Sequence, residues 1–288
     1  MTTASPAPPS PLPLPGSIGS IAFIGGGNMA RSLIGGLIAR GASAASIRVA
    51  EPVEVLRESL ARDFGIEIFA TAVEAAADAD LWLLAVKPQV MRIVCEGLSA
   101  TAQSRKPLVV SIAAGVTAAQ MQRWLGGDSA VIRAMPNTPA LLGAGVTGLF
   151  ASAQVDAAGR TRAEELLSSA GKTVWIDDEA KMDAVTAVSG SGPAYVFLLA
   201  EAMEAAAKAE GLADDAARTL VLQTLLGAAR MLTESGEAPE ELRKRVTSPN
   251  GTTQAAIETF QAGGFEELVG KAIRAASARG RELSAAND

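Results

Sequence analysis

An apolar run that ends abruptly in three glycines limits the possible folds of this chain more than any other feature. Residues Ile21–Ile24 are all apolar, glycines occupy positions 25–27, and a helical pattern follows over 28–40. A short apolar run bounded by glycines is typical of a buried strand, and glycines permit a tight turn. The sequence therefore predicts a strand, a turn and a helix in immediate succession, which is the start of a βαβ unit.

The same alternation of apolar runs and helical patterns continues to residue 178. Strands are also predicted at 47–50, 66–69, 81–86, 108–112, 131–135, 145–150 and 173–176, and helices at 53–64 and 73–79. Most of these strands are apolar throughout, as expected where both faces of a sheet are covered. The pattern favours an α/β fold with a doubly wound, mainly parallel sheet of the Rossmann type over residues 18–178.

Both ends of the chain differ from this α/β region. After residue 178 we find only helical patterns, at 179–210, 213–233, 239–245, 252–261 and 265–283, so an all-α domain is predicted over 179–288. At the other end, six prolines fall between Pro6 and Pro15. Because proline lacks a backbone donor, the segment 1–17 is expected to be a disordered, Pro-rich tail.

Composition excludes several kinds of chemistry. The chain has no histidine and a single cysteine, Cys95, which excludes a His general base, a His-ligated metal and an intrachain disulfide. With a net charge of −6, the chain lacks the excess of basic residues that is typical of a nucleic-acid-binding protein. No run of about 20 apolar residues is present, and the proline-rich start is unlike a secretory signal. We therefore expect a cytoplasmic protein with no metal, membrane or nucleic-acid partner.

The glycine turn fits the pattern G-x-G-x-x-A directly after a strand and at the start of a helix. In this pattern Gly25 permits the tight turn, Gly27 lets the backbone approach a pyrophosphate, and Ala30 allows the helix to pack closely on the strand. The helix N-terminus adds free N–H groups for phosphate oxygens. A bound dinucleotide is predicted, with these cofactor-binding candidates: Gly25, Gly26, Gly27, Asn28, Met29 and Ala30.

Glu51 stands at the end of the second predicted strand, where an acid is expected to accept hydrogen bonds from the adenosine ribose. Such an acid would favour NAD over NADP. An equally good interpretation is that Glu51 stabilises the N-terminus of the helix that follows it. Arg57 is an alternative, since it offers a positive charge to a 2′-phosphate. The residues leave the choice between NADPH and NADH open.

Three further strand ends carry small or special residues, and ligands of open α/β sheets lie beyond such ends. The last of them is the Pro-Asn-Thr-Pro segment at 136–139. Lys87 either contacts the cofactor or is an ordinary surface lysine. The cofactor-binding candidates at the other two ends are Ala85, Val86, Lys87 and Pro88, and Ala113, Ala114 and Gly115.

Residues 247–253 predict a loop followed by the start of a helix, because Ser, Pro, Asn and Gly succeed one another there. Thr253, Ile257 and Phe260 share one face of that helix, so Thr253 should lie among apolar neighbours. A helical N-terminus with a glycine and two threonines can bind a small carboxylate. From the residues alone, an ordinary N-cap by Ser248 or Thr252 is the favoured interpretation.

Residues 189–195, Ser-Gly-Ser-Gly-Pro-Ala-Tyr, interrupt a long helical pattern with two glycines and a proline. Each glycine costs about 1 kcal/mol relative to alanine inside a helix. The segment is either a simple break between two helices or a small-residue surface for close approach of a ligand or a helix.

Taken together, these segments resemble pyrroline-5-carboxylate reductase over residues 21–283. The resemblance implies hydride transfer from NADPH or NADH to the C=N carbon of 1-pyrroline-5-carboxylate, which gives L-proline. It also implies a Rossmann domain, a helical dimerisation domain, a homodimer whose helices interleave and complete each active site, and larger rings up to a decamer. The segments that carry the resemblance are 23–30, 85–89, 133–140, 189–195 and 246–253.

The resemblance also assigns roles to residues of the second region. It implies that Thr253 lies beside the imine nitrogen as the catalytic residue, and that Glu179 is an acid close to the substrate. Because a protonated cyclic imine is already electrophilic, positioning suffices and no histidine is needed. Asn250 stands where the family often has glycine. The residues implied to bind the substrate are Glu179, Ser248, Asn250, Gly251 and Thr252.

Two alternatives belong to other functional classes. One is a related imine reductase or 3-hydroxyacid dehydrogenase with the same two-domain plan. The latter normally uses a helix lysine, yet here no lysine follows Pro193 until Lys208, and Lys181 precedes it. The other is a dinucleotide-binding protein without turnover, which the loop at 248–253 argues against. The resemblance favours NADPH, whereas Glu51 favours NADH.

Overall fold

Eight strands form one sheet in the computed structural model, which describes residues 18–286. They are β1 (Ile21–Ile24), β2 (Ile47–Ala50), β3 (Glu67–Phe69), β4 (Leu81–Leu84), β5 (Leu108–Ser111), β6 (Ala130–Met135), β7 (Gly145–Ala151) and β8 (Gly171–Trp175). Their order is β3-β2-β1-β4-β5-β6-β7-β8, and all neighbours are parallel except β6 and β7. The predicted α/β sheet is confirmed. The tail predicted over 1–17 lies outside the described residues.

The central strands are apolar throughout because both faces of the sheet are covered. Side chains alternate between the faces along a strand, so Ile21 and Phe23 join one buried cluster while Ala22 and Ile24 join the other. Helix α1 (Asn28–Ala39) packs against the first cluster through Leu33, Ile34 and Leu37, which are fully buried. Burial of such side chains contributes about 1.5–3 kcal/mol each. This burial holds α1 against the sheet, directly after the glycine turn.

Two helices begin at a capping box that is visible in the sequence. Thr71 caps the helix that begins at residue 72, with Glu74 three residues later, and Thr117 caps the helix that begins at residue 118, with Gln120 three residues later. The remaining helices are α2 (Glu54–Phe64), α3 (Ala72–Ala76), α4 (Pro88–Arg105), α5 (Ala118–Trp124), α6 (Ala157–Ser168), α7 (Met182–Val185), α8 (Gly192–Ala209), α9 (Asp214–Glu234), α10 (Pro239–Arg245), α11 (Thr252–Ala262) and α12 (Phe265–Ala286).

The helical pattern over 179–210 is interrupted near Gly190, where the glycines and proline of residues 189–195 predicted a break. The chain forms a 3₁₀ turn at Glu179–Lys181, then α7, then a π turn at Thr186–Gly190 before α8 begins. A Cβ at Gly190 would lie 2.4 Å from the terminal methyl of Met135, so the glycine allows this segment to approach the sheet closely. The segment thus contains a break between helices, and the close approach at Gly190 is to Met135 of β6; approach of a ligand or a helix stays a prediction.

The described residues divide into two compact units. The first comprises the residues up to Gly190 together with the end of α12 from Ser277, and the second comprises Ser191–Ala276. In the second unit α8 packs against α9, and its few buried residues are Ala200, Ala217, Val221 and Leu242. Large apolar side chains of this unit are exposed, among them Phe197 at 61% and Leu198 at 66%. Among residues 18–286, no helix combines the length and apolar character that crossing a membrane requires.

Candidate active site

The turn after β1 lies at the carboxyl ends of the neighbouring parallel strands β1, β2 and β4. The Gly25 N–H donates to the carbonyl of Ala50 at 2.9 Å, and the Ala85 N–H donates to that of Ile24 at 2.8 Å. Gly25 has φ +105°, and a Cβ there would lie 2.7 Å from the Ala85 carbonyl oxygen. Only glycine fits this position, as the sequence predicted for a tight turn.

The first turn of α1 offers its backbone donors to a ligand. Gly27 is the N-cap residue, and no side chain caps the helix. Apart from its chain neighbours and its own helix backbone, no atom of the described residues lies within 4 Å of the position that a Cβ would take at Gly27. Asn28 is exposed, Met29 is half-buried, and Ala30 is fully buried against the sheet. An open helix N-terminus beside a glycine turn suits the pyrophosphate of a dinucleotide, so these residues fit that cofactor.

Glu51 connects this turn to the end of β2. Its side chain is 8% exposed, Oε2 accepts a hydrogen bond from the Gly26 N–H at 3.0 Å, and Oε1 accepts one from the Val53 N–H at 3.0 Å. Val53 is the N-cap residue of α2, so the carboxylate stabilises the start of that helix. Arg57 donates through Nη1 to the carbonyls of Glu51 and Pro52, at 2.8 and 3.2 Å.

The next strand ends complete this edge. The strand predicted over 81–86 stops at Leu84, and Val86 lies 3.3 Å from the position of a Gly25 Cβ. Lys87 is exposed at the N-cap of α4, whose first residue is Pro88. After β5, Ala113 and Ala114 are half-buried. The predicted cofactor candidates after β1, β2, β4 and β5 thus all follow strands of one parallel set.

The end of α12 packs against the loop after β5. Gly115 has φ +72°, and a Cβ there would lie 3.4 Å from the Cβ of Leu283. Gln120 donates through Nε2 to the carbonyl of Ser284 at 3.3 Å. Sequence analysis provided no indication of this contact, because the residues are far apart in the chain.

Glu179 forms an ion pair in the first unit. Its Oε1 accepts hydrogen bonds from Arg133 Nη1 at 2.9 Å and from the Ala118 N–H at 2.7 Å. The side chains of Arg133 and Glu179 are 9% and 27% exposed. Arg133 had no assigned role in the sequence analysis. Its position in the sequence could have pointed to an ion pair, because Arg133 is a charged residue within an otherwise apolar strand and a buried charge requires a partner.

The loop before α11 belongs to the second unit. The side-chain cap expected from Ser248 or Thr252 is wrong, because Gly251 is the N-cap residue and no side chain caps the helix. Asn250 adopts a left-handed conformation with φ 60°, and its N–H donates to Gln254 Oε1 at 2.7 Å. With this turn in the chain, neither Ser248 nor Thr252 occupies the N-cap position of α11. The first N–H groups of α11 are therefore left for another acceptor.

Thr253 lies in the first turn of α11. It is half-buried, as is Ile257 one turn later, whereas Phe260 on the same face is 51% exposed. Thr252 is exposed beside it. A threonine hydroxyl among partly buried neighbours can both donate and accept a hydrogen bond, which suits a small polar ligand.

Two family models match the chain. The model described as pyrroline-5-carboxylate reductase dimerisation matches residues 179–283, and the one described as NADP oxidoreductase, coenzyme F420-dependent, matches residues 20–115. A pyrroline-5-carboxylate reductase of Pseudomonas aeruginosa is 55% identical over 264 residues, which cover 92% of this chain and 96% of that protein.

Solved structures agree with these matches. A pyrroline-5-carboxylate reductase from Coxiella burnetii superposes with a TM-score of 0.90 at 42% identity, over 93% of this chain and 99% of that one. The Plasmodium falciparum pyrroline carboxylate reductase with NADP bound gives a TM-score of 0.81 at 26% identity, over 92% of this chain and 98% of that one.

Proposed function

Since the chain belongs to the pyrroline-5-carboxylate reductase family, we propose how its residues carry out the reaction of that family. The enzyme is an NAD(P)H-dependent oxidoreductase that reduces 1-pyrroline-5-carboxylate to L-proline, the last step of proline biosynthesis. The observation that carries the proposal is the uncapped N-terminus of α1 over the glycine turn, where Gly27 leaves the backbone accessible. NADPH or NADH, bound there, supplies the hydride.

The cofactor site is formed by the first unit. Backbone N–H groups of Gly27 and Asn28 lie at the turn where the pyrophosphate would bind, whereas the Gly26 N–H donates to Glu51 Oε2. The loops after β4 and β5 then line the ribose and the nicotinamide, with these proposed contacts: Ala85, Val86, Lys87, Pro88, Ala113, Ala114 and Gly115. The match to an NADP oxidoreductase model and the NADP-bound Plasmodium structure support NADPH as the cofactor.

The substrate carboxylate is assigned to the N-terminus of α11. No side chain caps this helix, so its first N–H groups and its positive dipole end are free to bind an anion. Ser248, Asn250, Gly251 and Thr252 surround that end. The Thr253 hydroxyl hydrogen-bonds the ring nitrogen and holds the C=N carbon toward the hydride donor. The hydride adds to the C=N carbon while the nitrogen carries the proton, which gives the secondary amine of proline.

Glu179 is assigned to the side of the substrate. Its Oε1 is occupied by Arg133 and by the Ala118 N–H, whereas Oε2 accepts no hydrogen bond from the described residues. The side chain as a whole is 27% exposed. The Arg133 guanidinium keeps the carboxylate oriented, so Glu179 can place its negative charge beside the protonated imine, whose single N–H donates to the Thr253 hydroxyl.

The proposed enzyme is a homodimer whose partner subunit completes each active site. Residues 18–178 serve as the cofactor domain and residues 179–288 as the dimerisation and substrate domain, whose match to the dimerisation model begins at residue 179. The exposed apolar residues of α8, among them Phe197 and Leu198, supply a face that a second copy would cover. Further assembly of dimers into a decamer and a cytoplasmic location belong to the same proposal.

Replacement of Thr253 tests the substrate assignment. Thr253→Ala removes the hydroxyl proposed to orient the imine nitrogen, so kcat/KM for 1-pyrroline-5-carboxylate should fall by about tenfold or more. Binding of NADPH to the free enzyme should not change. Thr259→Ala, two turns further along α11, is the matched control, because the Thr259 hydroxyl donates to the carbonyl of Ala255. Unchanged kcat/KM in Thr253→Ala would show that the role is wrong.

A further inference from the structure

Arg57 differs from its neighbouring arginines in having no carboxylate partner. Arg31 pairs with Asp63, and Arg48 pairs with Glu67 and Asp78. Within residues 18–286, Arg57 forms no ion pair, and it donates to the carbonyl oxygens of Glu51 and Pro52 at 2.8 and 3.2 Å. Its positive charge is therefore neutralised by no acidic side chain, although the guanidinium is held in place.

The two carbonyls locate this charge at the carboxyl end of β2. Arg57 lies in the first turn and a half of α2, and helical side chains lean toward the helix N-terminus. Both bonds involve Nη1, and the residue is partly exposed, so the guanidinium keeps N–H groups that these two bonds do not use. In a sheet of this kind the adenosine ribose lies beyond the end of this strand.

Glu51 stands at the same strand end but is buried and bonded to the backbone. Both carboxylate oxygens accept backbone hydrogen bonds, from Gly26 and from Val53, and only 8% of the residue is exposed. Because the residue is this deeply buried and each oxygen is directed at a backbone N–H, the carboxylate offers little free surface to two ribose hydroxyls. Glu51 is therefore a positioning residue for the turn that receives the pyrophosphate.

We propose that Arg57 recognises the 2′-phosphate of NADPH and sets the preference of this enzyme for NADPH over NADH, whereas Glu51 holds the glycine turn and does not select between the two. The proposal rests on the proposed function for the identity of the cofactor. It assigns the cofactor preference to a helix residue that lies six positions beyond Glu51. A planar guanidinium with free N–H groups matches a phosphate well, because it can form two parallel charge-assisted hydrogen bonds.

Nucleotide binding to the free enzyme tests this without turnover. Adenosine 2′,5′-bisphosphate and AMP differ only in the 2′-phosphate, and calorimetry measures the affinity of each. Wild type should bind the bisphosphate at least about tenfold more tightly than AMP. Arg57→Gln should abolish most of that ratio and leave AMP binding unchanged. Arg62→Gln, on the same helix with a 73% exposed side chain, is the matched control and should keep the ratio.

Glu51→Gln separates the two roles of the acid. If Glu51 positions the turn, the amide loses one of the two backbone contacts, and affinity for AMP and for the bisphosphate should fall by similar factors. A rise in the ratio of the two affinities would identify Glu51 as the selecting acid and overturn the proposal. An unchanged ratio in Arg57→Gln would also overturn it. If Arg57→Gln does not fold, Arg57→Lys, which keeps the charge but not the fork, should lower the ratio without abolishing it.

Reduction of 1-pyrroline-5-carboxylate by the wild-type enzyme is measured in parallel. If the substrate is not reduced but the nucleotide ratios follow the expectation, the proposed function fails and the role of Arg57 stands. If the substrate is reduced and Arg57→Gln keeps the wild-type ratio, only the role of Arg57 fails.

Discussion

Glu179 and Arg133 form an ion pair 46 residues apart in sequence, with Oε1 of the carboxylate 2.9 Å from Nη1 of the guanidinium. The same oxygen accepts the N–H of Ala118 at the start of α5. One carboxylate thus connects the middle of β6, the start of α5 and the turn that opens the family's dimerisation region. The arrangement fixes the loop after β5, which the cofactor is proposed to contact.

Replacement of Glu179 should destabilise the protein measurably. In Glu179→Ala, Arg133 keeps its charge at a side chain that is only 9% exposed, with no carboxylate to neutralise it. The free energy of unfolding in urea should fall by about 2 kcal/mol, less than for a fully buried pair because Glu179 is partly exposed. The double variant Arg133→Met, Glu179→Ala should recover part of this loss. A single variant as stable as wild type would mean that the pair contributes nothing.

Two glycines of the same turn should respond differently to alanine. Gly25→Ala requires φ +105° and places a Cβ 2.7 Å from the Ala85 carbonyl oxygen, so it should lower the free energy of unfolding by about 2 kcal/mol or more. Gly27→Ala meets no atom of the described residues within 4 Å, apart from its chain neighbours and its own helix backbone, and should keep wild-type stability. It should nevertheless weaken NADPH binding by about tenfold or more, because the methyl group occupies the approach of the pyrophosphate.

Thermal unfolding and cofactor titration of both variants check this difference. Equal loss of stability in Gly25→Ala and Gly27→Ala would contradict the geometry of the turn. Normal NADPH affinity in Gly27→Ala would contradict the place assigned to the pyrophosphate.

Cys95 should make the stability of the protein depend on alkaline pH. Burial, with a smaller contribution from Glu96, raises the pKa of this thiol from 9.0 to about 12. The unfolded chain therefore binds fewer protons than the native protein between these values, and the free energy of unfolding falls as the pH rises through that window. The contribution of this one thiol is roughly 1 kcal/mol per pH unit. Below about pH 9 it has no effect.

Cys95→Ser removes this titration without removing the volume of the side chain. Urea unfolding at about pH 8 and about pH 10.5 should show a greater loss of stability in wild type than in the variant. Identical losses in the two proteins would mean that the thiol ionises equally well in the native state.

The exposed apolar face of α8 should be needed for assembly. Phe197 and Leu198 are 61% and 66% exposed in the single chain, and a charge at Leu198 would be costly once a second copy covers it. Leu198→Glu should shift the molar mass in light scattering from that of a dimer or larger assembly to that of a monomer. Ile93→Glu, at a 72% exposed position on α4, is the matched control and should leave the mass unchanged. A monomeric wild type would contradict the dimer itself.

Local patterns were sufficient to predict the sheet. Because both faces are covered, each central strand is a continuous apolar run, and the turn at Gly25 needs a conformation that glycine adopts most readily. The end of β4 was predicted two residues too late. Ala85 and Val86 are apolar like the strand, yet they leave it and pack beside Gly25. The order of the strands and the antiparallel pairing of β6 with β7 depend on contacts that a local pattern does not contain.

Tertiary contacts also account for what was missed at the site. The sequence offers two good capping residues near the start of α11, Ser248 and Thr252. The N-cap residue is Gly251 instead, which directly follows the left-handed Asn250. The partner of Arg133 is 46 residues away, and no spacing rule connects the two. Likewise, the position of Glu51 at a strand end fits either a ribose acceptor or a helix-stabilising acid, and its bonds to the Gly26 and Val53 N–H groups are visible only in the structure.

The central claim is that this chain reduces a cyclic imine with a nicotinamide cofactor bound at the Gly25–Gly27 turn. The most direct test follows the absorbance of the reduced nicotinamide in the presence of 1-pyrroline-5-carboxylate, with NADPH and NADH compared at equal concentration. We expect oxidation of the cofactor matched by formation of L-proline, and a higher kcat/KM with NADPH. No oxidation with either cofactor, despite cofactor binding measured on the same preparation, would contradict the account.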